Sequence, residues 1–384
     1  MQTVTNSPAE YTLTRYFAKF YSLYSVKSLP TAVACNSRLR RVLNIVNAKA
    51  GAPLLQGASD SFVLPVGEAC DDNRIFVAFS SGKDCLATAI RAKQDGYAPT
   101  LVYVSGVNKS LPSEKRHAEN IARASGFPFL EIKLNISGNK EWNEHPMKNL
   151  LILCLLIDEG LKHGVHRFGF GNTFDDDSAH GSIDYDLSDS FDMLRAFKHF
   201  VRQFIGDFEL YSPMCNTLQS FYTIHRYDKR LIPLLATCIT PDFRRPMIRK
   251  SNLAKFGADV LSADGCGGCY KCADEYLYRL KFGMVRNSPL YVKKCMEAKA
   301  QFDVKYKSED FKDTQGRRFN RYGGRDTADV QVLCDRSGFY IGTLEFDNKT
   351  TFKWYTRDHY GSHHYATREE AEAVLERFIK IYDL

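Results

Sequence analysis

The chain has 384 residues, 44% of them hydrophobic and 25% charged, which is the balance of an ordinary globular protein and not of a disordered one. That length exceeds a single domain of roughly 100–200 residues and is enough to bury a core without disulfide staples. Fifty-two Lys and Arg against 45 Asp and Glu give a formal net charge of +7, which permits a nucleotide or nucleic-acid partner without requiring one.

Met1 to Glu10 shows neither a basic leader region nor an apolar one. The longest apolar run, Leu150 to Ile157, is far short of the roughly 20 residues that span a bilayer. The expectation is a chain without a membrane span in a reducing cytoplasm. There, clustered cysteines signal metal or redox chemistry, not disulfides.

Residues 1–71 read as a helical N-terminal extension, with Tyr11, Tyr16, Phe17, Phe20, Tyr21 and Tyr24 at near-helical spacing. Their expected role is packing against the next domain. From Arg74 the pattern changes. Ile75 to Phe79 reads as a buried strand, a small-residue turn follows, and Leu86 to Ile90 reads as a helix. Thr100 to Val104, Phe129 to Leu134 and Val165 to Gly171 are further strands, separated by helices over Ser113 to Ser125 and Lys148 to His163. Strands alternating with helices imply a parallel α/β sheet, which binds ligands beyond the carboxyl ends of its strands. Asp189 to Ile205 and Asp274 to Phe282 read as helices flanking a cysteine-rich segment, and this α/β unit is taken as residues 72–300.

Residues 301–329 read as a linker, with seven Lys or Arg against three Asp or Glu between Lys305 and Arg325. Residues 330–384 read as a small α+β module. Val330 to Cys334, Phe339 to Phe346 and Thr351 to Thr356 alternate like antiparallel strands, and Thr367 with Glu370 forms a capping-box pattern ahead of a helix.

The first chemical feature is Ser80-Ser81-Gly82-Lys83-Asp84-Cys85, set between a strand and a helix. Small residues let backbone N–H groups approach an anion, and the helix N-terminus adds unpaired donors and a positive dipole end. Lys83 adds charge. The Walker pattern is absent. The second feature is Cys266-Gly-Gly-Cys269-Tyr-Lys-Cys272, a spacing that chelates one metal ion in a tight turn. Cys238 is the expected fourth ligand, with Asp264 and His225 behind it. Structural zinc is the favoured occupant. An iron–sulfur cluster is the alternative, because the same spacing suits both.

The loop resembles the S-G-G-x-D-S signature of the PP-loop ATP pyrophosphatases: Ser80, Gly82 and Asp84 match, Ser81 stands for a glycine and Cys85 for a serine. Loop and cysteine run together resemble the 7-cyano-7-deazaguanine synthase (QueC/ExsB-like) family over about residues 72–285. Pro146-Met147-Lys148-Asn149, Gly171-Asn172, Asp175 to Asp177 and Asp189 are similar to further landmarks of that family. The resemblance implies a HUP-like nucleotide-binding domain. It implies that Ser80, Ser81, Gly82, Lys83, Asp84, Cys85, Tyr103, Ser105, Lys148, Asn149 and Gly171 contact ATP. It implies catalytic roles for Asp84, Lys83, Asp176 and Asp189, with Mg²⁺ among these carboxylates. The implied reaction converts ATP to AMP and pyrophosphate while activating a carbonyl or carboxylate of a modified nucleobase or small acid for attack by ammonia or an amine. Two alternatives stand beside it: a nucleic-acid-modifying or sulfur-transfer enzyme, and a non-catalytic nucleotide-binding component of a defence assembly. The basic linker and the aromatic C-terminal strands are the candidate contacts to nucleic acid.

Overall fold

The computed structural model describes residues 2–6, 12–21, 23–24, 30, 32–49, 52–57, 73–105, 112–134, 147–171, 191–212, 217–236, 238, 240, 244–258, 260–261, 265–306, 330–335, 338–344, 351–354 and 365–373. Its centre is a six-stranded sheet in the order β1-β4-β3-β2-β5-β6, and every neighbouring pair is parallel. The strands are β1 (Gln2–Asn6), β2 (Arg74–Ala78), β3 (Ala98–Ser105), β4 (Phe129–Leu134), β5 (Arg167–Gly169) and β6 (Glu209–Tyr211). Between them run α1 (Thr12–Tyr21), α2 (Ser37–Lys49), α3 (Lys83–Gln94), α4 (Pro112–Ser125), α5 (Lys148–Lys162) and α6 (Phe191–Val201). After β6 come α7 (Thr217–Asp228), a 3₁₀ turn (Lys229–Leu234), α8 (Arg245–Phe256), α9 (Tyr270–Lys281) and α10 (Pro289–Tyr306).

Side chains alternate between the two faces of the sheet, as the period of two in a strand requires. Phe76, Ala78, Val102, Val104, Leu130 and Ile132 join the core beneath α1, α2, α5 and α6. Ile75, Val77, Phe79, Leu101, Tyr103 and Phe129 join the core beneath α3, α4 and α7. Both faces are covered, which is why β2 and β3 read as continuous apolar runs. α5 is apolar nearly all round, with Leu150, Leu151 and Leu153 to Ile157 buried.

The N-terminal aromatic stripe does pack inward. Tyr16 stacks on Phe200 with ring centroids 6.3 Å apart, and Phe17 meets Phe197 edge-on at 6.1 Å. A buried carboxylate fixes this helix: Asp158 of α5 accepts from the Leu13 N–H at 3.0 Å and from the Thr14 N–H and hydroxyl at 2.7 Å each. The two N–H groups are orphan donors of the first helical turn. Residues 2–6, expected to be helical, instead form β1 beside β4.

The chain steps from β2 outward to β3 and β4, then crosses back to β5 and β6 on the other side. α3 and α4 lie on one face and α5 on the other. The reversal therefore falls between β2 and β5, at their carboxyl ends. This is the crevice where doubly wound sheets bind ligands.

A smaller helical unit, α8, α9 and α10, closes on Phe256, Val260, Leu261, Ala273, Tyr276, Tyr291 and Cys295. β6, α7, the 3₁₀ turn, α8 and α10 are not among the elements expected from the sequence, and α10 carries helix through 301–306 of the expected linker. In the C-terminal module β7 (Val330–Asp335), β8 (Gly338–Leu344) and β9 (Thr351–Trp354) form an antiparallel sheet. The Thr367 half of the capping box forms, with Thr367 Oγ1 accepting from the Glu370 N–H at 3.1 Å, whereas Glu370 Oε2 accepts from the N–H of Ala366, one residue before the cap, at 3.2 Å.

Candidate phosphate loop and metal centre

The Ser80–Cys85 segment leaves the carboxyl end of β2 at the switch point and turns into α3. Gly82 is the N-cap with extended backbone and no side-chain capping bond. The first bond of the helical ladder runs from the Leu86 N–H to Gly82 O at 3.2 Å, so the amides ahead of it take no part in that ladder. Ser81 has φ of +60°, the one positive φ outside glycine among the described residues, and it is fully buried. It thus sits in the left-handed region that favours glycine, at a cost on the order of 1–2 kcal/mol. Its hydroxyl donates to Ser80 O at 2.5 Å and its own carbonyl accepts from the Ala236 N–H at 3.1 Å, two bonds that hold the turn.

Gly171, just past β5, closes the other side of the crevice. A Cβ there would lie 2.4 Å from Cys85 N, 2.6 Å from Cys85 Cα and 2.7 Å from Asp84 C. Only glycine lets the segment after β5 come this close to the first turn of α3. At the loop itself, Asp84 Oδ2 pairs with Lys83 Nζ at 2.6 Å, and Asp84 Oδ1 accepts from the Ser220 hydroxyl of α7 at 2.8 Å. Cys85 Sγ sits 3.5 Å from Ser80 Oγ. Burial pushes its thiol up, partly offset by the Ser80 hydroxyl, while Asp84 and Glu114 push it further up.

The other expected nucleotide contacts divide. Tyr103 is buried in β3, its phenol pushed up by burial and by Glu114 and Glu131. Ser105 ends β3 and donates to Glu131 Oε1 of β4 at 2.7 Å. Lys148 and Asn149 open α5. A crossover helix runs back against its strands, so this first turn faces the same carboxyl edge as the loop. Asp176 and Asp189 lie outside the described residues, as do Asn172 and Asp264.

The four cysteines do converge. The sulfurs of Cys238, Cys266, Cys269 and Cys272 all lie within 4.8 Å of one another. Cys266 and Cys272 are 3.9 Å apart, as are Cys238 and Cys269. Tetrahedral zinc with bonds of about 2.3 Å requires sulfurs about 3.8 Å apart, whereas a disulfide requires about 2.05 Å. The donor set therefore fits a metal ion. Thr240 Oγ1 at 3.0 Å, the Gly268 N–H at 3.2 Å and the Cys266 N–H at 3.4 Å donate to these sulfurs, which is how a protein stabilises thiolates. Hydrogen bonding from Cys238 holds the Cys266 thiol well below its ordinary range. Gly267, at φ of +69°, makes the tight turn. His225, the runner-up ligand, packs on Phe282 at 4.7 Å between ring centroids instead.

Sequence reasoning missed the parts that join these two sites. Ala236, whose N–H holds Ser81, is two residues from Cys238. Arg245 donates to Thr240 O at 3.0 and 3.2 Å and to Ser113 Oγ at the start of α4 at 3.2 Å. No motif spacing marks Ser220, Ala236 or Arg245; their partners lie more than a hundred residues away or inside irregular loops.

Together these features define a doubly wound parallel α/β protein with a small-residue turn at its switch point and a four-cysteine centre that can hold a metal ion. No helix among the described residues is long and apolar enough to cross a membrane. No family model and no curated protein matches the chain. Among solved structures, one titled as a predicted subunit of tRNA methyltransferase from Methanocaldococcus jannaschii aligns with 38% of this chain and 69% of its own, at 19% identity and a TM-score of 0.25. A likeness of that size carries no argument about the reaction.

Proposed function

We propose that the chain is a PP-loop ATP pyrophosphatase that adenylates a carbonyl or carboxylate of a modified nucleobase or small acid. The observation that carries this is the Ser80–Cys85 turn, pinned by Gly171 and by Ala236, at the carboxyl ends of β2 and β5. Its backbone amides and the α3 N-terminus face the place where triphosphate oxygens would lie. An acceptor oxygen attacks the α-phosphorus and the bond to the bridging oxygen breaks, with its electron pair leaving on pyrophosphate. Ammonia or an amine then adds to the acyl carbon, and AMP departs with the former acceptor oxygen. Lys83 serves this chemistry by turning from Asp84 toward the phosphates, which frees Asp84 Oδ2. The freed carboxylate would hold Mg²⁺, which supplies charge neutralisation to the phosphates. Ser220 orients Asp84. Zinc is the proposed occupant of the cysteine centre, in a structural role.

The test is release of AMP and pyrophosphate from ATP and Mg²⁺, with and without 7-carboxy-7-deazaguanine and ammonium, beside Asp84→Ala. Acceptor-dependent release that Asp84→Ala abolishes supports the reading. ATP binding without any release of AMP refutes it.

A further inference from the structure

Beside the metal centre, on the helical unit, lies a cavity of about 470 Å³ lined by three lysines, Lys255, Lys293 and Lys294, against one acid, Glu297. The ammonium groups are positioned. Lys255 Nζ lies 5.4 Å and Lys294 Nζ 5.2 Å from the centroid of the Phe256 ring, which favours cations over its face. Lys294 also donates to Asn252 Oδ1 at 2.7 Å, and the buried Asn252 amide donates to Cys266 O at 2.8 Å. The cavity is thus built on the metal loop, and Gly268 of that loop forms part of its wall.

The surroundings continue the charge. α8 reads RPMIRKSNLAKF, with no acid along its length, and Lys250 on it and Arg244 just before it are also exposed. Met247, at 71% exposure, and Leu290, at 55%, place apolar surface among these charges. A row of cations with interspersed apolar side chains is the footprint of a sugar–phosphate backbone and its bases, and a small anion would need only the cavity.

We propose that this face binds a nucleic-acid strand, with Lys255, Lys293 and Lys294 taking its phosphates. The site does not depend on the reading of the phosphate loop, because it lies on α8 and α10 and uses none of the loop's residues.

The experiment measures binding of a fluorescein-labelled single-stranded RNA of about 20 nucleotides by anisotropy, from about 50 to 200 mM salt, using the full metal-loaded chain. The variants are the triple Lys255→Ala/Lys293→Ala/Lys294→Ala and the double Lys255→Ala/Lys293→Ala, which keeps the Lys294–Asn252 bond. The control removes three exposed charges elsewhere, Arg123→Ala/Arg230→Ala/Arg368→Ala. The expected result is at least about a tenfold loss for the triple variant, an intermediate loss for the double, and a salt slope shallower by about 2 for the triple, since each phosphate contact of a single strand contributes about 0.7. Three results would overturn the proposal: no RNA binding at low salt, equal losses in the lysine variants and the arginine control, or full displacement of the RNA by inorganic phosphate at equal phosphate concentration, which would make this a small-anion site. AMP release from ATP should be unchanged in the double variant, so failure here and failure of the ATP reading are separable.

Discussion

Replacing Gly171 with alanine adds one methyl group where the carboxyl end of β5 meets the phosphate loop. The new Cβ would stand 2.4 Å from Cys85 N, roughly 1 Å inside the 3.4 Å at which ordinary contact begins. All three nearest atoms belong to the backbone of Asp84 and Cys85, so no rotamer change relieves the clash. The loop and strand end must move apart by about 1 Å, which is the scale at which misplacing a reacting group costs about 100-fold in rate. Overpacking of this kind costs about 1–3 kcal/mol of stability. The assay pairs thermal unfolding, with and without ATP and Mg²⁺, with pyrophosphate release. The expected variant melts several degrees lower, loses its ATP-dependent shift and turns over about 100-fold more slowly. Gly82→Ala is the control within the same loop: its Cβ would meet only Ser80 Oγ at 3.6 Å, an ordinary contact. A Gly171→Ala protein that melts and turns over like the parent would refute the close approach, and with it the crevice as the ATP site.

Ser220→Ala removes one hydrogen bond to Asp84 and should cost about 1 kcal/mol, seen as a several-fold lower turnover with little change in melting. Asp158→Ala should lower stability by about 2 kcal/mol or more in denaturant titration, because three donors of α1 lose their acceptor in the core. Cys238→Ser should lower the metal content measured by elemental analysis and the melting temperature together; a colourless, zinc-containing parent supports structural zinc, while a brown iron-containing one would replace it with a cluster. The acid limb of stability should depend on Glu131. Burial pushes its carboxyl up, but the Lys115 and Ser105 hydrogen bonds outweigh that and hold it below its ordinary 4.5. A depressed carboxylate contributes stability above its unfolded value and loses it as pH falls through the folded one. The melting gap between the parent and Glu131→Gln should therefore be full at pH 7 and close below about pH 4.5; a gap that is constant with pH would refute it.

The strands β2 to β5 and the helices between them were legible as apolar runs broken by turns, because burial on both faces makes β2 apolar at Phe76 and Val77 alike and α5 apolar nearly all round. β1 was not, since its five residues carry no apolar run and gain their place only by pairing with β4. β6, three residues long, is too short for any period to show. α8 has five bases among or beside its twelve residues and only a thin apolar stripe, so its helix is set by packing on Phe256 and by Pro246 near its start. The cysteine run announced itself by spacing, and Cys238 was reachable by ligand counting. Ser81 carried the opposite lesson: its serine side chain gave no sign of a positive φ, which burial and two hydrogen bonds hold at +60°.

The segment between Ala236 and Thr240 gives the two sites a common part. Ala236 holds the Ser80–Cys85 turn through Ser81, Cys238 is one of the four cysteines that could hold a metal ion, and Thr240 both donates to Cys266 and accepts from Arg245, which reaches the start of α4. Metal binding orders Cys238 directly, so it must also narrow the positions open to Ala236 two residues away. The free energy of that ordering is drawn from the metal bonds, and a loop held in advance loses less entropy when phosphate arrives. Metal removal should thus weaken ATP binding before it unfolds the sheet. Titration of ATP into protein depleted of metal by stages, with far-ultraviolet circular dichroism recorded on the same samples, separates the two. Affinity that falls in step with metal content while the helical signal holds supports the coupling; affinity that stays constant until the chain unfolds would sink it.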